Sequence, residues 1–333
     1  RLDRFLAAAL ASTERAPSRS ELQRWITQGR VKVDGVARGA ADKVTEGSRI
    51  HVVPSEGERS RALPETGVAF DVLYEDRELL IVNKPAGLVV HPARGHEGGT
   101  LVNGLLALGV FDLPRESIVD EWEGKDTSAH LRPGIVHRLD KGTSGIMVVA
   151  RTARARERLK RQFQEHSIER AYEAIAVGDA VARVFSTLHG RHPKDRLRFT
   201  SHVREGKRAV TDLAVLERLD GGRATHVLCR LETGRTHQIR MHLSESGTPI
   251  LGDPVYGKPP KDRFLRALAD ELGHQALHAR VLGFTHPTTN ERVRFEAPPP
   301  KDFVHALAEL RAKGRAPSIA LTLAPPVKAV RRR

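Results

Sequence analysis

Residues 134–145 read GIVHRLDKGTSG, an apolar run that delivers an aspartate, Asp140, to a glycine-bounded turn. By itself, an aspartate before Lys-Gly between apolar stretches is ordinary turn chemistry, because its short carboxylate hydrogen-bonds nearby backbone. Held in a pocket, the same carboxylate could be a nucleophile or a general acid or base. Several other chemistries find no support. The chain has no Gly-rich loop ending in Lys-Ser/Thr to cradle a phosphate, and no Gly-x-Ser-x-Gly nucleophile turn. His237 and His242 are five apart with no glutamate between them, unlike the i, i+4 pair of a zinc helix. The single cysteine, Cys229, excludes an internal disulfide and a Cys-based zinc site. Its alternating neighbours in ATHVLCRLE make it a strand-core residue, and a reducing cytoplasm is the expected setting.

The elements that must position Asp140 are carried by a strongly basic chain. Among 333 residues, Lys and Arg total 55 against 41 Asp and Glu, a net charge of +14. Such a surplus usually meets a polyanion, since basic side chains neutralise phosphates and release counterions. Nucleic acid ranks ahead of an anionic membrane surface, and arginine-rich coding would also raise the charge. No stretch approaches the roughly 20 apolar residues that span a bilayer. The opening RLDRFLAAALAS is too soon interrupted by charge for a secretory signal.

Residues 1–53 read as one small unit. Leu2, Leu6 and Leu10, with Phe5, give one face of a short helix, and SRSELQRWITQGR opens with Ser18 and Glu21 at capping-box spacing and ends at Gly29. RVKVDGVA then predicts a strand entering an Asp34-Gly35 hairpin, and RIHVV a further strand. Residues 54–67 have linker composition. From residue 68, strands interleave with few helices: two strands in FDVLYEDRELLIVNKP, a helix over TLVNGLLALGV, a buried strand in GIMVVART and a helix capped by Thr152. RAYEAIAVG, 209–216 and 224–232 read as strands, and KDFVHALAELRAKG as a closing helix. The lack of regular βαβ alternation argues for α+β over residues 68–314. Residues 112–133 read as a polar surface loop and 315–333 as a basic disordered tail.

The first unit, through SRSELQRWITQGRVKVDG, resembles the S4 RNA-binding domain, which makes Arg19, Arg24 and Lys32 candidate RNA contacts. Six further stretches occur in order: NKPAGLVVHP, GIVHRLDKGTSGIMVVA, RAYEAIAVG, LETGRTHQIRMHL, PILGDPVYG and QALHARVLGFTHP. Together they resemble the RluA family of pseudouridine synthases, nearest to its RluD/RluC-type members that act on bacterial large-subunit ribosomal RNA. The resemblance covers nearly all of residues 1–305. It implies a mixed, mainly antiparallel central sheet with flanking helices, and an isomerase that converts uridine to pseudouridine. It also implies neither metal nor cofactor, and RNA as the partner, possibly within an assembling ribosomal subunit. A monomer is expected.

Residue by residue, the resemblance makes Asp140 the nucleophile. A buried carboxylate tends to protonate, so an opposite charge is needed, and the family arginine maps to Arg240. Tyr172 takes the place of the tyrosine that stacks on uracil and could assist proton loss from C5. Leu277 takes that of the apolar residue beneath the base. The base must leave the stack, and Arg138, two residues before Asp140, is the expected gap filler. His137 and Lys84 complete the expected substrate contacts, Lys84 with Pro85 shaping the pocket floor. Read without the family, Arg240 is better taken as a strand-exit surface arginine or a phosphate contact than as the partner of Asp140. Basic residues in 151–170 and 190–199 add candidate phosphate contacts. The insertion at 112–133 is longer than the connection expected before the catalytic motif.

Alternatives from other classes stay open at this point. One is a non-catalytic S4-type RNA-binding or ribosome-assembly protein, and another a pseudouridine synthase acting on tRNA. A glycosidic hydrolase using Asp140 with His137 fits poorly, because that chemistry wants two carboxyl groups.

Overall fold

A computed structural model describes residues 1–10, 19–53, 62–92, 96, 98–111 and 134–314. Ser18, residues 54–61 of the expected linker, the insertion at 112–133 and the tail at 315–333 lie outside the described residues, as do the side chains of Glu21, Arg19 and Arg24. The chain divides into two compact units, the first drawn mainly from residues 1–63.

In the first unit, helices α1 (Leu2–Ala9) and α2 (Arg19–Thr27) pack with strands β1 (Val31–Val33), β2 (Val36–Ala37) and β3 (Ile50–Val52). The strands form an antiparallel sheet in the order β2-β1-β3. Leu2, Leu6, Leu22, Trp25, Ile26, Val31 and Val33 make its core. Asp34 (φ 52°) and Gly35 (φ 82°) both turn left-handed, as the two-residue hairpin requires. The Asp34 carboxylate also accepts the Arg49 N–H at 2.8 Å, tying the hairpin to the start of β3.

The second unit is built on a ten-stranded sheet. Its strands are β4 (Asp71–Glu75), β5 (Leu79–Lys84), β6 (Ser144–Ala150), β7 (Glu169–Val177), β8 (Arg183–Arg191), β9 (Phe199–Thr200), β10 (Lys207–Leu219), β11 (Ala224–Leu231), β12 (Leu277–Thr285) and β13 (Arg292–Glu296). They run in the order β4-β5-β6-β12-β7-β11-β10-β8-β9, with β13 beside β12. The β6–β12 pairing is parallel, and the others are antiparallel. Among the described residues, five helices accompany the sheet: α3 (Leu101–Ala107), α4 (Ala153–Gln164), α5 (Gln238–Glu245), α6 (Arg263–Leu272) and α7 (Lys301–Lys313). This is the mixed, mainly antiparallel α+β class that the resemblance implies.

Two larger hydrophobic clusters and a smaller one around Ala171, Leu228 and Val281 are found among the described residues of the unit. One larger cluster gathers Ile175, Leu213, Val227 and Cys229 from β7, β10 and β11 with Ile239 and Leu243 of α5, Leu265 of α6 and Phe303 of α7. The other gathers Ile81, Ile146 and Val148 with Leu159 of α4 and Phe284 of β12. Every residue of β6 is buried, which explains the continuous apolar run that follows Ser144. Gly145 in β6 has φ 116°, and a Cβ there would lie 2.3 Å from the Ala279 carbonyl, so only glycine lets β12 approach. No described helix is long and apolar enough to cross a membrane.

Two features differ from the sequence reading. Strand β10 begins at Lys207, two residues before the apolar pattern, because its pairing with β8 starts at Lys207↔His189. HQIR belongs to a helix, so Arg240 lies in the first turn of α5 and not at a strand exit.

Candidate active site

The loop carrying Asp140 is fixed at both ends. Upstream, Ile135 bridges to Val149, and the Ala150 N–H donates to the Gly134 carbonyl at 2.8 Å. Downstream, the Thr143 N–H donates to the Asp140 carbonyl at 3.0 Å, closing a turn, and Gln275 Nε2 donates to Thr143 Oγ1 at 3.0 Å. The Asp140 carboxylate therefore stands out from a braced turn, with its side chain 17% exposed.

Arg240 reaches it from across the fold. Nη1 of Arg240 donates to Asp140 Oδ2 at 3.0 Å, bridging 100 residues of sequence. The other edge of the guanidinium grips Asp253, with Nε on Oδ2 at 2.7 Å and Nη2 on Oδ1 at 2.8 Å. A two-pronged bond of this kind sets both position and plane. Asp253 is itself held, since Oδ1 also accepts the N–H groups of Val255 and Tyr256, each at 2.9 Å. Burial opposes both charges. The Asp253 hydrogen bonds and charge, with help from Asp140, nevertheless raise the Arg240 pKa, and Arg240 with the two backbone N–H groups lowers that of Asp253. The Tyr256 ring lies 5.2 Å from the Arg240 carbon Cζ and adds a cation–π contact.

The helix that presents Arg240 is pinned at its first residue. Gln238 Oε1 accepts Thr233 Oγ1 at 2.7 Å and the Arg235 N–H at 3.0 Å. Its Nε2 donates to the Val210 carbonyl and Thr211 Oγ1, both at 2.9 Å, so all four positions of the amide are filled. His237 enters the helix with φ 59°, and its Nε2 stands 3.8 Å from Asp140 Oδ1, too far for a hydrogen bond. Burial lowers the His237 pKa, partly offset by Asp140.

Tyr172 lies mid-strand in β7, paired with Cys229 and Ala279, and is half-buried against the core. Burial raises its pKa, so the phenol is neutral near pH 7; Arg170 opposes the rise and Asp140 reinforces it. Leu277 opens β12, buried and opposite Ala174. Arg138 is exposed on the loop. In the N-terminal unit, Lys32 points outward from β1, between the buried Val31 and Val33.

Two expected substrate contacts are placed otherwise. Lys84 is 0% exposed, and its ammonium donates to the carbonyls of Pro85 and Leu88 at 2.8 Å and of Lys141 at 3.2 Å. It staples the residue after Asp140 to the NKPAG loop and has no donor left for RNA. Burial pulls its pKa down to about 7, against the charge of Asp140. His137 is turned inward: its Nε2 accepts the Val148 N–H at 3.0 Å and its ring stacks on Phe163 at 4.8 Å. Burial, reinforced by Arg170, drops its pKa to about 3, so it is a neutral brace and not an acid for hydrolysis.

Asp253, Tyr256 and Gln238 are the supporting residues to which the sequence reading gave no role. The one legible signal was Gly-Asp-Pro in PILGDPVYG, an aspartate placed to cap the turn that follows it.

Comparison with known proteins identifies the family. Residues 78–245 match the RNA pseudouridylate synthase family, and residues 1–50 match the S4 domain. An uncharacterized RNA pseudouridine synthase of Bacillus subtilis, YlyB, is 44% identical over 317 residues, covering 94% of this chain and 95% of that protein. Ribosomal large subunit pseudouridine synthase D of Neisseria meningitidis serogroup B is 44% identical, covering 93% of this chain and 79% of its own length. Among solved structures, human RNA pseudouridylate synthase domain containing 1 superposes with a TM-score of 0.55 at 27% identity, over 78% of this chain and 94% of that one. The chain belongs to the RNA pseudouridine synthases, a family of isomerases, and carries an S4 domain at its front.

Proposed function

We propose that this protein isomerises uridine to pseudouridine in bacterial large-subunit ribosomal RNA, with Asp140 as the nucleophile. The observation that carries the reading is the asymmetry of Arg240, which is locked on Asp253 through two nitrogens and offers a third to Asp140. One carboxylate is thereby oriented without being enclosed. The choice of ribosomal RNA rests on relatives named large subunit pseudouridine synthase D that align over most of the chain.

The target uridine leaves the RNA stack at a cost of a few kcal/mol, and the exposed Arg138 guanidinium fills the space behind it. Asp140 Oδ1, the oxygen not bonded to Arg240, attacks the nucleoside at the sugar or the base. The C1′–N1 bond breaks, the uracil turns, and a C1′–C5 bond forms, while the bond to Asp140 breaks and returns the electron pair to the carboxylate. The C5 proton is lost and one is gained at N1, so the product is an isomer and no water is consumed. Tyr172 stacks on the turning base, and its neutral hydroxyl relays the C5 proton, while Leu277 packs beneath. The S4 unit, through Arg19, Arg24 and Lys32, holds flanking RNA. The enzyme works as a monomer in the cytoplasm, on ribosomal RNA free or in an assembling subunit.

The test is to map pseudouridines in ribosomal RNA from cells with and without the protein. Large-subunit positions that lose the modification on deletion and regain it with the wild-type chain are expected. An unchanged large-subunit map, or losses confined to tRNA, contradicts the substrate assignment.

A further inference from the structure

Beside the catalytic carboxylate lies a second concentration of charge that the mechanism above does not use. Arg170 and Tyr172 are two apart on β7, and so share one face of the sheet, where the charges of both Arg170 and Asp140 act on the Tyr172 phenol. Arg170 is only 8% exposed, yet it has no carboxylate partner among the described residues. Its Nη2 donates to the Glu232 carbonyl at 2.8 Å, its Cζ lies 5.6 Å from the Phe163 ring centroid, and its Nε is buried without any hydrogen-bond partner. A buried cation normally has an anion, because desolvation penalises uncompensated charge.

The chain approaches Arg170 closely at one point. Gly234 packs on Nη1 so tightly that a Cβ there would lie 2.4 Å away. The next residue, Arg235, is half-buried and is held by its Nε on the Arg208 carbonyl at 3.1 Å. It too has no carboxylate partner among the described residues, and its charge reinforces the burial that lowers the Arg170 pKa. The nearby Glu232 carboxylate is already paired with Arg208. Two guanidinium groups, neither with a carboxylate partner among the described residues, thus lie close enough for the charge of one to oppose that of the other.

We propose that Arg170 and Arg235 form an anion site at the rim of the Asp140–Tyr172 pocket, and that it takes a phosphodiester of the bound RNA strand beside the extruded uridine. The inference rests on the RNA-modifying reading. Guanidinium groups suit this ligand because their planar forks match phosphate oxygens. Bound there, the phosphate pairs the buried charge of Arg170 and fixes the strand next to the reacting nucleotide.

The test is the salt dependence of binding to a transcript of large-subunit ribosomal RNA, using the full chain and the variants Arg235→Gln, Arg170→Gln and Arg311→Gln. Arg311 is paired with Glu217 at 2.7 Å and serves as a charge-matched control. Arg235→Gln and Arg170→Gln are each expected to flatten the slope of log Kd against log salt by about one. Affinity should weaken by roughly tenfold near 0.1 M salt, and the control should match the wild type. An unchanged slope in Arg235→Gln overturns the site, whatever the affinity does. Because Arg170→Gln could destabilise the core, thermal unfolding is followed alongside, and the half-buried Arg235 decides if that variant does not fold. Pseudouridine formation by the wild type on the same transcript separates the two claims. Its absence counts against the functional reading, while the slope still decides the anion site.

Discussion

Asp140 and Asp253 contact the same guanidinium and yet live in opposite conditions. Asp253 is buried and accepts four hydrogen bonds, two from Arg240 and two from backbone. Asp140 is partly exposed, accepts one from Arg240, and keeps an oxygen free of hydrogen bonds. The first arrangement satisfies a charge completely and so makes it inert, a fixed post for the arginine. The second orients a charge and leaves it able to react. Preorganised electrostatics of this kind depends on residues that never touch the substrate.

That contrast can be broken from either side. Asp253→Asn is expected to have the larger effect of two supporting changes. Removing one partner of a buried pair should cost about 3 kcal/mol of stability, read by chemical denaturation. The loosened arginine should cost turnover on the order of 10- to 100-fold, with KM for RNA within a few-fold. Wild-type turnover in this variant would mean that Asp253 does not position Arg240.

The smaller effect concerns the brace beneath Asp140. His137 titrates at about 3 in the fold against 6.5 ordinarily, so the unfolded chain takes up its proton first as pH falls. The stability this contributes is complete above pH 6.5 and is lost between 6.5 and about 3. His137→Gln should remove at most one proton from the acid limb of the stability profile. Thermal melts from pH 7 to 4 check it, and an unaltered acid limb would show that His137 is not held neutral.

Much of the fold was readable where local pattern and tertiary partner agree. The Asp34-Gly35 hairpin, the apolar β6 and the Thr152-capped α4 each carry their signal within a few residues; Thr152 indeed accepts the Ala155 N–H at 3.1 Å. Helix α5 was hidden because it has eight residues and opens at a left-handed His237, held by Gln238 contacts drawn from β10 and the 233–235 turn. Lys84 was expected among the substrate contacts, shaping the pocket floor with Pro85. Two of the carbonyls that hold it, of Pro85 and Leu88, are local, but the third, of Lys141, comes from 57 residues away, which no local pattern reveals. Asp140 and Arg240 could be paired in advance only through family resemblance, since spacing says nothing across 100 residues.

The central claim is that Asp140 reacts while Asp253 only supports, and it is tested most directly by Asp140→Asn. The measurement is single-turnover loss of the C5 hydrogen from a large-subunit rRNA transcript labelled with tritium at uridine C5. The account predicts no release above background, with RNA affinity within a few-fold of wild type and the fold kept, because Arg240 retains both of its bonds to Asp253. Release at the wild-type rate from Asp140→Asn would contradict it.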